Sequence, residues 1–400
     1  MSKETILIGR PSLLRQTNAA HILKLLRETG PCSRADLVRA SGLSAPSVTN
    51  VVVDLTAAGL IEPIGEGEST GGRPPDMLRF KADRGCVAGV DINAGRLRFL
   101  LTDLNGRQLD TVDTSMSRFS ATPEAVCRHI GQTVRGLLRK QKQKSEQLLA
   151  LVVGVPAITN VEQGIVLAIS TLKGWHNVPL RELLAKEFSC PVVIENDTNL
   201  AAQGERYSGS ARGEDNFVLI SIGEGEGVGA GIVLNGKLYH GSQWSAGEIG
   251  YLHVPHVSPG PPTIHRFGRL EKILCGRGVL KSWRESANSM DGRTRVNRGV
   301  EVFNLAAGGN ARAKQILKQR AQILTDVILN LSLILNPGLI LLGGEIGSHP
   351  ALLPAVKALL KDSEFAVTRV DLGSLGQAAV LWGAVSLALE SPAAMFASVD

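Results

Sequence analysis

Cysteine is too sparse and too scattered in this chain to build a framework. The five residues, Cys32, Cys86, Cys127, Cys190 and Cys275, are odd in number, and none lies at ligand spacing from another. That argues against a disulfide scaffold and against a cysteine-built zinc site. A membrane-length apolar run is also missing. The greasiest stretch, "VILNLSLILNPGLILLGG", is broken by Asn330, Asn336 and Pro337 and reads as a buried helix followed by a strand. The opening "MSKETILIGRPSLL" lacks a signal peptide's apolar stretch and small-residue cleavage site, which points to a cytoplasmic protein. Neither sign of charge dominates: the formal net charge is +6, a weak pointer to a polyanionic partner. Aromatic residues supply only 4% of the chain, whereas 44 glycines promise many tight turns and close backbone approaches.

What is present is an ordinary globular composition, 44% apolar and 20% charged over 400 residues, enough for two or three cored domains. Residues 15–80 read as the first. "NAAHILKLLRETG" sets Ile22, Leu23, Leu25 and Leu26 on one helical stripe that Gly30-Pro31 stops. In "SRADLVRASG", Ser33 can cap with Asp36 three residues on, and Gly42 turns the chain. A third helix follows in "LSAPSVTNVVVDLTAAGL". Ser44 stands at its N-cap, Pro46 in its first turn, and Val48, Val51, Val52 and Leu55 on its buried face. Ser47, Thr49 and Asn50 fall on the other side. This is the pattern of a helix-turn-helix, whose last helix enters the DNA major groove and whose polar residues bond phosphates or base edges. "GLIEPIGEGESTGGRPPDMLRF" then supplies a strand, a glycine-rich tip and a returning strand, a wing in which Arg73 is placed as a minor-groove probe. The competing readings are a helical bundle that binds a protein, and Arg73 as a solvated linker residue.

From about residue 84 the chain turns to strands separated by glycine, with helices between. "CVAGVDI" and "LRFLLTDL" read as strands, with Asn105-Gly106 as a two-residue hairpin turn into "RQLDTVDT". The pattern returns in "FVLISIG", "GAGIVL", Asn235-Gly236 and "KLYHG". Each half continues with helix and parallel-strand patterns: 122–139, 148–155 and 192–195, then 310–335, 338–342 and 374–389. Two duplicated α/β lobes, 84–200 and 201–400, would face each other across a cleft, a common place for a ligand.

Several stretches together resemble the ROK family of repressors, open reading frames and sugar kinases, over nearly the whole chain. They are "STGGRPP", "GVPAITNVEQGIVL", "LKGWHNVPL", "ENDTNLAAQGE", "GAGIVLNGKLYHGSQWSAGEIG" and "LILLGGEIG". The match lies with the repressor branch, which carries an N-terminal winged helix as the xylose and N-acetylglucosamine repressors do. The resemblance implies an α/β, actin-like (ASKHA or ribonuclease H-like) two-lobed body, a sugar pocket in its cleft, and a homodimer or homotetramer.

The family's kinases wrap nucleotide phosphates with a loop resembling Asp-x-Gly-Gly-Thr-Lys. Here it reads "DINAGR": Asp91 is kept, while Asn93, Ala94, Gly95 and Arg96 replace the rest. Losing glycine there blocks backbone N–H groups from phosphate oxygens. The second loop, "SIGEGEGVGAGI", carries Glu224 and Glu226, which would repel a triphosphate. The family's zinc ligands are absent too: Tyr251 stands for the His, and "PTIHRFGRLE" for the three-cysteine run. His253, His256 and His265 form a conceivable substitute, or ordinary loop histidines. Both the metal and the cofactor are therefore expected to be none.

The sugar set implied by the resemblance is less eroded. It comprises Asn196, Asp197, Glu248 and Glu271, with Tyr251 in place of a His and Thr171 where Asn is usual; Ala157 replaces a Gly. Paired carboxylates and amides suit hydroxyls that both donate and accept. The bland readings remain open: Asp197 capping the helix that starts at Thr198, and Glu248 holding its glycine-rich turn. Asp197 occupies the general-base position of a kinase, but without a γ-phosphate an activated hydroxyl has nothing to attack. The expected protein is a DNA-binding transcriptional regulator, a repressor, whose kinase-like domain senses a sugar or sugar derivative without phosphorylating it. Its partners are a double-stranded operator and a carbohydrate, with no membrane. The alternatives are an ATP-dependent sugar kinase that also binds DNA, and a ligand-blind dimerisation scaffold.

Overall fold

The computed structural model describes residues 11–67, 74–93, 95–169, 172, 174–225, 227–255, 257, 268–286, 295–361 and 369–390. Three helices come first, α1 (Pro11–Thr29), α2 (Arg34–Ser41) and α3 (Ala45–Ala57). Their punctuation follows the sequence. Ser33 and Asp36 close a capping box on α2, Gly42 ends it in the left-handed region at φ 68°, and Ser44 caps α3. The strands β1 (Cys32–Ser33), β2 (Ile61–Glu66) and β3 (Asp76–Phe80) form an antiparallel sheet in the order β1-β3-β2, which is the wing. Its tip, with Arg73, lies outside the described residues.

The body contains two five-stranded sheets. The first is built from β4 (Cys86–Asn93), β5 (Arg96–Asp103), β6 (Gln108–Ser115), β7 (Leu148–Val155) and, later in the chain, β11 (Val192–Asn196). Between β6 and β7 runs α4 (Pro123–Lys140); β8 (Ile158–Asn160), β9 (Ile165–Ala168) and β10 (His176–Val178) make a small separate sheet, and α5 (Leu180–Ala185) precedes β11. The connecting helix α6 (Asp197–Ser208) leads to the second sheet, β12 (Phe217–Ile222), β13 (Val228–Leu234), β14 (Lys237–Leu238), β15 (Leu339–Gly343) and β16 (Arg369–Leu372). The helices α7 (Arg269–Leu274), α8 (Gly276–Glu285), α9 (Gly299–Ala307) and α10 (Ala311–Leu335) lie between β14 and β15. Then come α11 (Gly344–Gly347), α12 (Leu352–Leu360) and, last, α13 (Ala379–Glu390).

The duplication seen in the sequence is a duplication of topology. The sheets run β6-β5-β4-β7-β11 and β14-β13-β12-β15-β16. In each, three antiparallel strands are followed by two that join in parallel. The two Asn-Gly turns are not equivalent. Asn235 and Gly236 both take positive φ, 51° and 72°, between the partners Leu234 and Lys237, a two-residue turn of the mirror-image type. At the first, only Gly106 does so (φ 78°), and Asp103 N–H donates to Arg107 O, so the loop is one residue longer than expected. A three-residue loop with one left-handed position gives the bulged hairpin.

The chain also doubles back. Helix α13, apolar nearly all round, lies against α6 and on the first sheet, where Ala384, Val385, Ala388 and Leu389 join Val87, Leu100 and Leu149 in one core. That same cluster takes in Leu23 and Leu26 of α1, Val52 and Leu55 of α3, and Phe80 of the wing. The winged helix is therefore cored continuously with the first lobe. Arg27 of α1 reinforces the seam: it donates to Leu389 O at 3.2 Å and lies over the Phe80 ring at 4.8 Å. Burial lowers its pKa to about 10. The pair α6–α13 meets through Gly204 and Gly383, each placed where any Cβ would strike the other helix's backbone. No described helix is long and apolar enough to cross a membrane.

Candidate functional site

The strand β11 ends in Glu195 and Asn196, and α6 begins at Asp197, so three polar side chains crowd one strand-to-helix turn. The cap is Asn196 and not Asp197. The Asn196 side-chain oxygen accepts from Thr198 N at 2.8 Å and Asn199 N at 3.1 Å, and its amide donates to Ala157 O at 3.1 Å. Asn196 thus spends most of its bonding capacity on the fold. Asp197 is released from the capping role the sequence left open, and is half-buried at the first position of the helix. Burial, the neighbouring Asp91 carboxylate and, to a smaller extent, Glu248 raise its pKa to about 7, against the pull of its bonds to Thr198.

Glu248 follows Gly247, whose φ of 89° and contact with Ala230 O leave no room for a side chain. Burial raises the Glu248 carboxyl to about 7 as well. Tyr251 is pushed up to about 12 by burial and by the Glu248 and Glu271 charges. Glu271 accepts from Gly268 N at 3.0 Å, in the first turn of α7. The structure therefore brings Asp197, Glu248, Tyr251 and Glu271 into one electrostatically linked set, with Asn196 holding its near wall. Thr171 lies outside the described residues.

Sequence reasoning missed four members of the surroundings. Glu195, buried, accepts from Asn196 N and Asn199 Nδ2 through one oxygen and pairs with His240 Nε2 at 2.7 Å through the other. This bond raises the His240 pKa and ties the loop that leads to Glu248 onto β11. The signal was an acidic residue closing an apolar strand in "VVIEN". Trp244, on the same loop, takes a positive φ of 61° and meets the His240 ring edge-on. Arg98 pairs with the fully buried Asp91 through both Nε (3.0 Å) and Nη2. Burial still raises the Asp91 pKa, and among the described residues its Oδ1 has no partner.

At the positions that match the two phosphate loops, one described charged side chain of each is tied to the protein itself. Arg96, the residue in the lysine position, is tied to Asp113 by two bonds of 2.9 and 2.7 Å across the β5–β6 pair. Glu224 turns inward: its carboxylate accepts from the N–H groups of Gly299 and of Val300, the latter at 3.0 Å, at the start of α9. A helix N-terminus favours an anion through its free N–H groups and its dipole, and here a side chain supplies that anion. Ala94, Glu226, His256 and His265 lie outside the described residues.

On the winged helix, Ser44, Thr49 and Asn50 are exposed and Ser47 is half-exposed. The Ser44 and Ser47 hydroxyls bond each other at 2.8 Å, and Ser44 also accepts from Ser47 N. Part of what the sequence offered to DNA is thus committed to capping, while Thr49 and Asn50 remain on the outer face.

The raised carboxyls carry a pH prediction. In an unfolded chain Asp and Glu titrate near ~4, so between about pH 4 and 7 the fold keeps protons that the unfolded chain has released. Stability from these groups therefore falls as pH rises through that window. Asp197→Asn removes one of them. Thermal melts are expected to show the variant above the parent at pH 8 and no such advantage at pH 5; parallel curves would contradict this.

Comparison with known proteins bears on both parts of the chain. Residues 17–62 match the MarR family, and residues 87–391 match the ROK family. A xylose repressor of Caldicellulosiruptor bescii is 25% identical over 96% of this chain and 98% of its own length. The N-acetylglucosamine repressor of Escherichia coli O157:H7 is 24% identical over 91% and 89%. A glucokinase of Halalkalibacterium halodurans is 27% identical over 64% of this chain and 79% of its own. Among solved structures, a ROK family transcriptional regulator described as a homologue of the E. coli MLC protein superposes with a TM-score of 0.82 at 24% identity. It covers 96% of this chain and 98% of the other. A ROK family glucokinase from Streptomyces griseus reaches 0.60 at 23% identity, over 77% and 100%. The match spans three quarters of the sequence, every strand of both five-stranded sheets lies within it or at its edge, and the chain belongs to the ROK family.

Proposed function

We propose that this protein is a transcriptional repressor that binds operator DNA through its winged helix and takes a sugar or sugar derivative in the cleft between its lobes, without phosphorylating it. The working units are residues 15–80 for DNA, and 84–200 and 201–400 for the two lobes, with α13 returning to the first. The observation that carries the reading is the engagement of both charged positions by the protein itself, Arg96 on Asp113 and Glu224 on the start of α9, together with a half-buried carboxylate set in Asp197, Glu248 and Glu271. A nucleotide would have to displace the protein's own charges, whereas a polyol need only bond Asp197, Glu248 and Glu271. Relatives named as xylose and N-acetylglucosamine repressors support the same assignment. A homodimer or homotetramer would present two recognition helices to a palindromic site, in the cytoplasm.

The kinase alternative rests on Asp197, whose raised pKa suits a general base. One set of measurements decides. The purified chain is expected to enrich a specific duplex from a random pool, and xylose, glucose or N-acetylglucosamine is expected to raise its Tm. A sugar at 100 times its Kd stabilises by about 2.7 kcal/mol. Sugar-dependent ATP turnover that Asp197→Asn abolishes would reverse the assignment.

A further inference from the structure

We infer that Val53 reads a thymine methyl group in the operator and is a specificity-determining residue of the recognition helix; this rests on the DNA-binding reading above. Helix α3 buries Val48, Val51, Val52 and Leu55, all within a few per cent of full burial. Val53 points the other way and is 59% exposed. A single exposed valine is unremarkable on a protein surface, so exposure does not carry the inference; position does. Val53 lies four residues after Thr49 and three after Asn50, the spacing that puts all three on one helix face.

Two neighbouring contacts sharpen the face. The Ser44 and Ser47 hydroxyls are bonded to each other at 2.8 Å, so the first turn of α3 has less to offer a base edge. Asp54, next to Val53, is clamped by Arg15 through two bonds of 2.6 Å. The helix therefore presents no bare carboxylate beside Val53 to a polyanion. The outer face then offers an amide, a hydroxyl and an isopropyl group, with the smaller Pro46 and Ala57 exposed toward the two ends of the helix. In the major groove, an amide pairs with adenine, a hydroxyl bonds any base edge, and the apolar group that distinguishes a base is the C5-methyl of thymine.

The test uses the full chain and the duplex it enriches from a random pool. Each thymine in that duplex is replaced in turn by deoxyuridine, which removes the methyl and leaves pairing intact, and affinity is read by fluorescence anisotropy at fixed salt. The parent is expected to lose about fourfold at one thymine per half-site, the worth of one buried methyl-sized group. Val53→Ala, folded as judged by its melting curve, is expected to bind the thymine and uracil duplexes within twofold of each other. Val53→Thr, which keeps a methyl, is expected to retain the discrimination. An enriched duplex with no uracil-sensitive thymine, or an unchanged ratio in Val53→Ala, overturns the assignment to Val53 alone. Failure to enrich any duplex sinks the DNA-binding reading and this inference with it.

Discussion

Gly383→Ala is expected to cost about 3 kcal/mol of stability, near the upper end for an overpacked core. A Cβ at Gly383 would lie 1.7 Å from Leu200 O and 2.9 Å from Gly204 N. Both are backbone atoms of α6, so no side chain can swing aside and the two helices must separate. The opposing term is smaller: alanine is better than glycine inside a helix by about 1 kcal/mol. Gly136 in α4 provides the control, because nothing lies within 4 Å of the Cβ it would gain. Gly136→Ala is expected to stabilise, and Gly383→Ala to destabilise, in the same urea titration. Equal shifts would mean that α6 and α13 are not in contact as described. The damage should also extend beyond the pair, since α6 begins at the candidate pocket and α13 ends against α1.

Arg98→Met is the second large effect. It leaves Asp91 buried with no countercharge, and breaking a buried pair from one side costs about 3–5 kcal/mol. Burial already raises the Asp91 pKa while Arg98 restrains it; removing Arg98 pushes it higher. The fold then holds a proton that the unfolded chain releases near ~4, so the loss should be greatest at pH 8 and shrink toward pH 5. Adding Asp91→Asn is expected to recover most of the loss and to flatten its pH dependence. Denaturation of the single and double variants at both pH values decides; a loss that is independent of pH would indicate that Arg98 acts through its bond to Gln377 O instead.

Local elements were legible because their signals are local. Ser33, Asp36, Gly42 and Ser44 set helix ends by bonds to residues three or four positions away, and the apolar stripe of α3 needs no partner to be recognised. The doubled strand pattern disclosed two lobes, and the family resemblance pointed to Asp197, Glu248, Tyr251 and Glu271. What stayed hidden depends on distant partners. Asn196 against Asp197 as the cap turns on which side chain reaches Thr198, and either residue suits the role by type. Glu224 looked like a charge facing a phosphate site, and only the fold brings Gly299 and Val300 to it, 75 residues on. The first Asn-Gly loop gained a residue because sheet register, which the dipeptide does not determine, places Arg107 opposite Asp103.

The seam between Arg27 and Leu389 joins residues 362 apart in sequence. A ribosome adds residues at about 5–20 per second, so α1 to α3 emerge well over ten seconds before the helix they rest on. During that interval Leu23, Leu26 and Phe80 lack part of their native cover. A chain whose synthesis stopped before α13 would carry its DNA-reading helices on an unfinished base. The contacts that complete the core under α1 and α3 therefore form only after α13 has been made.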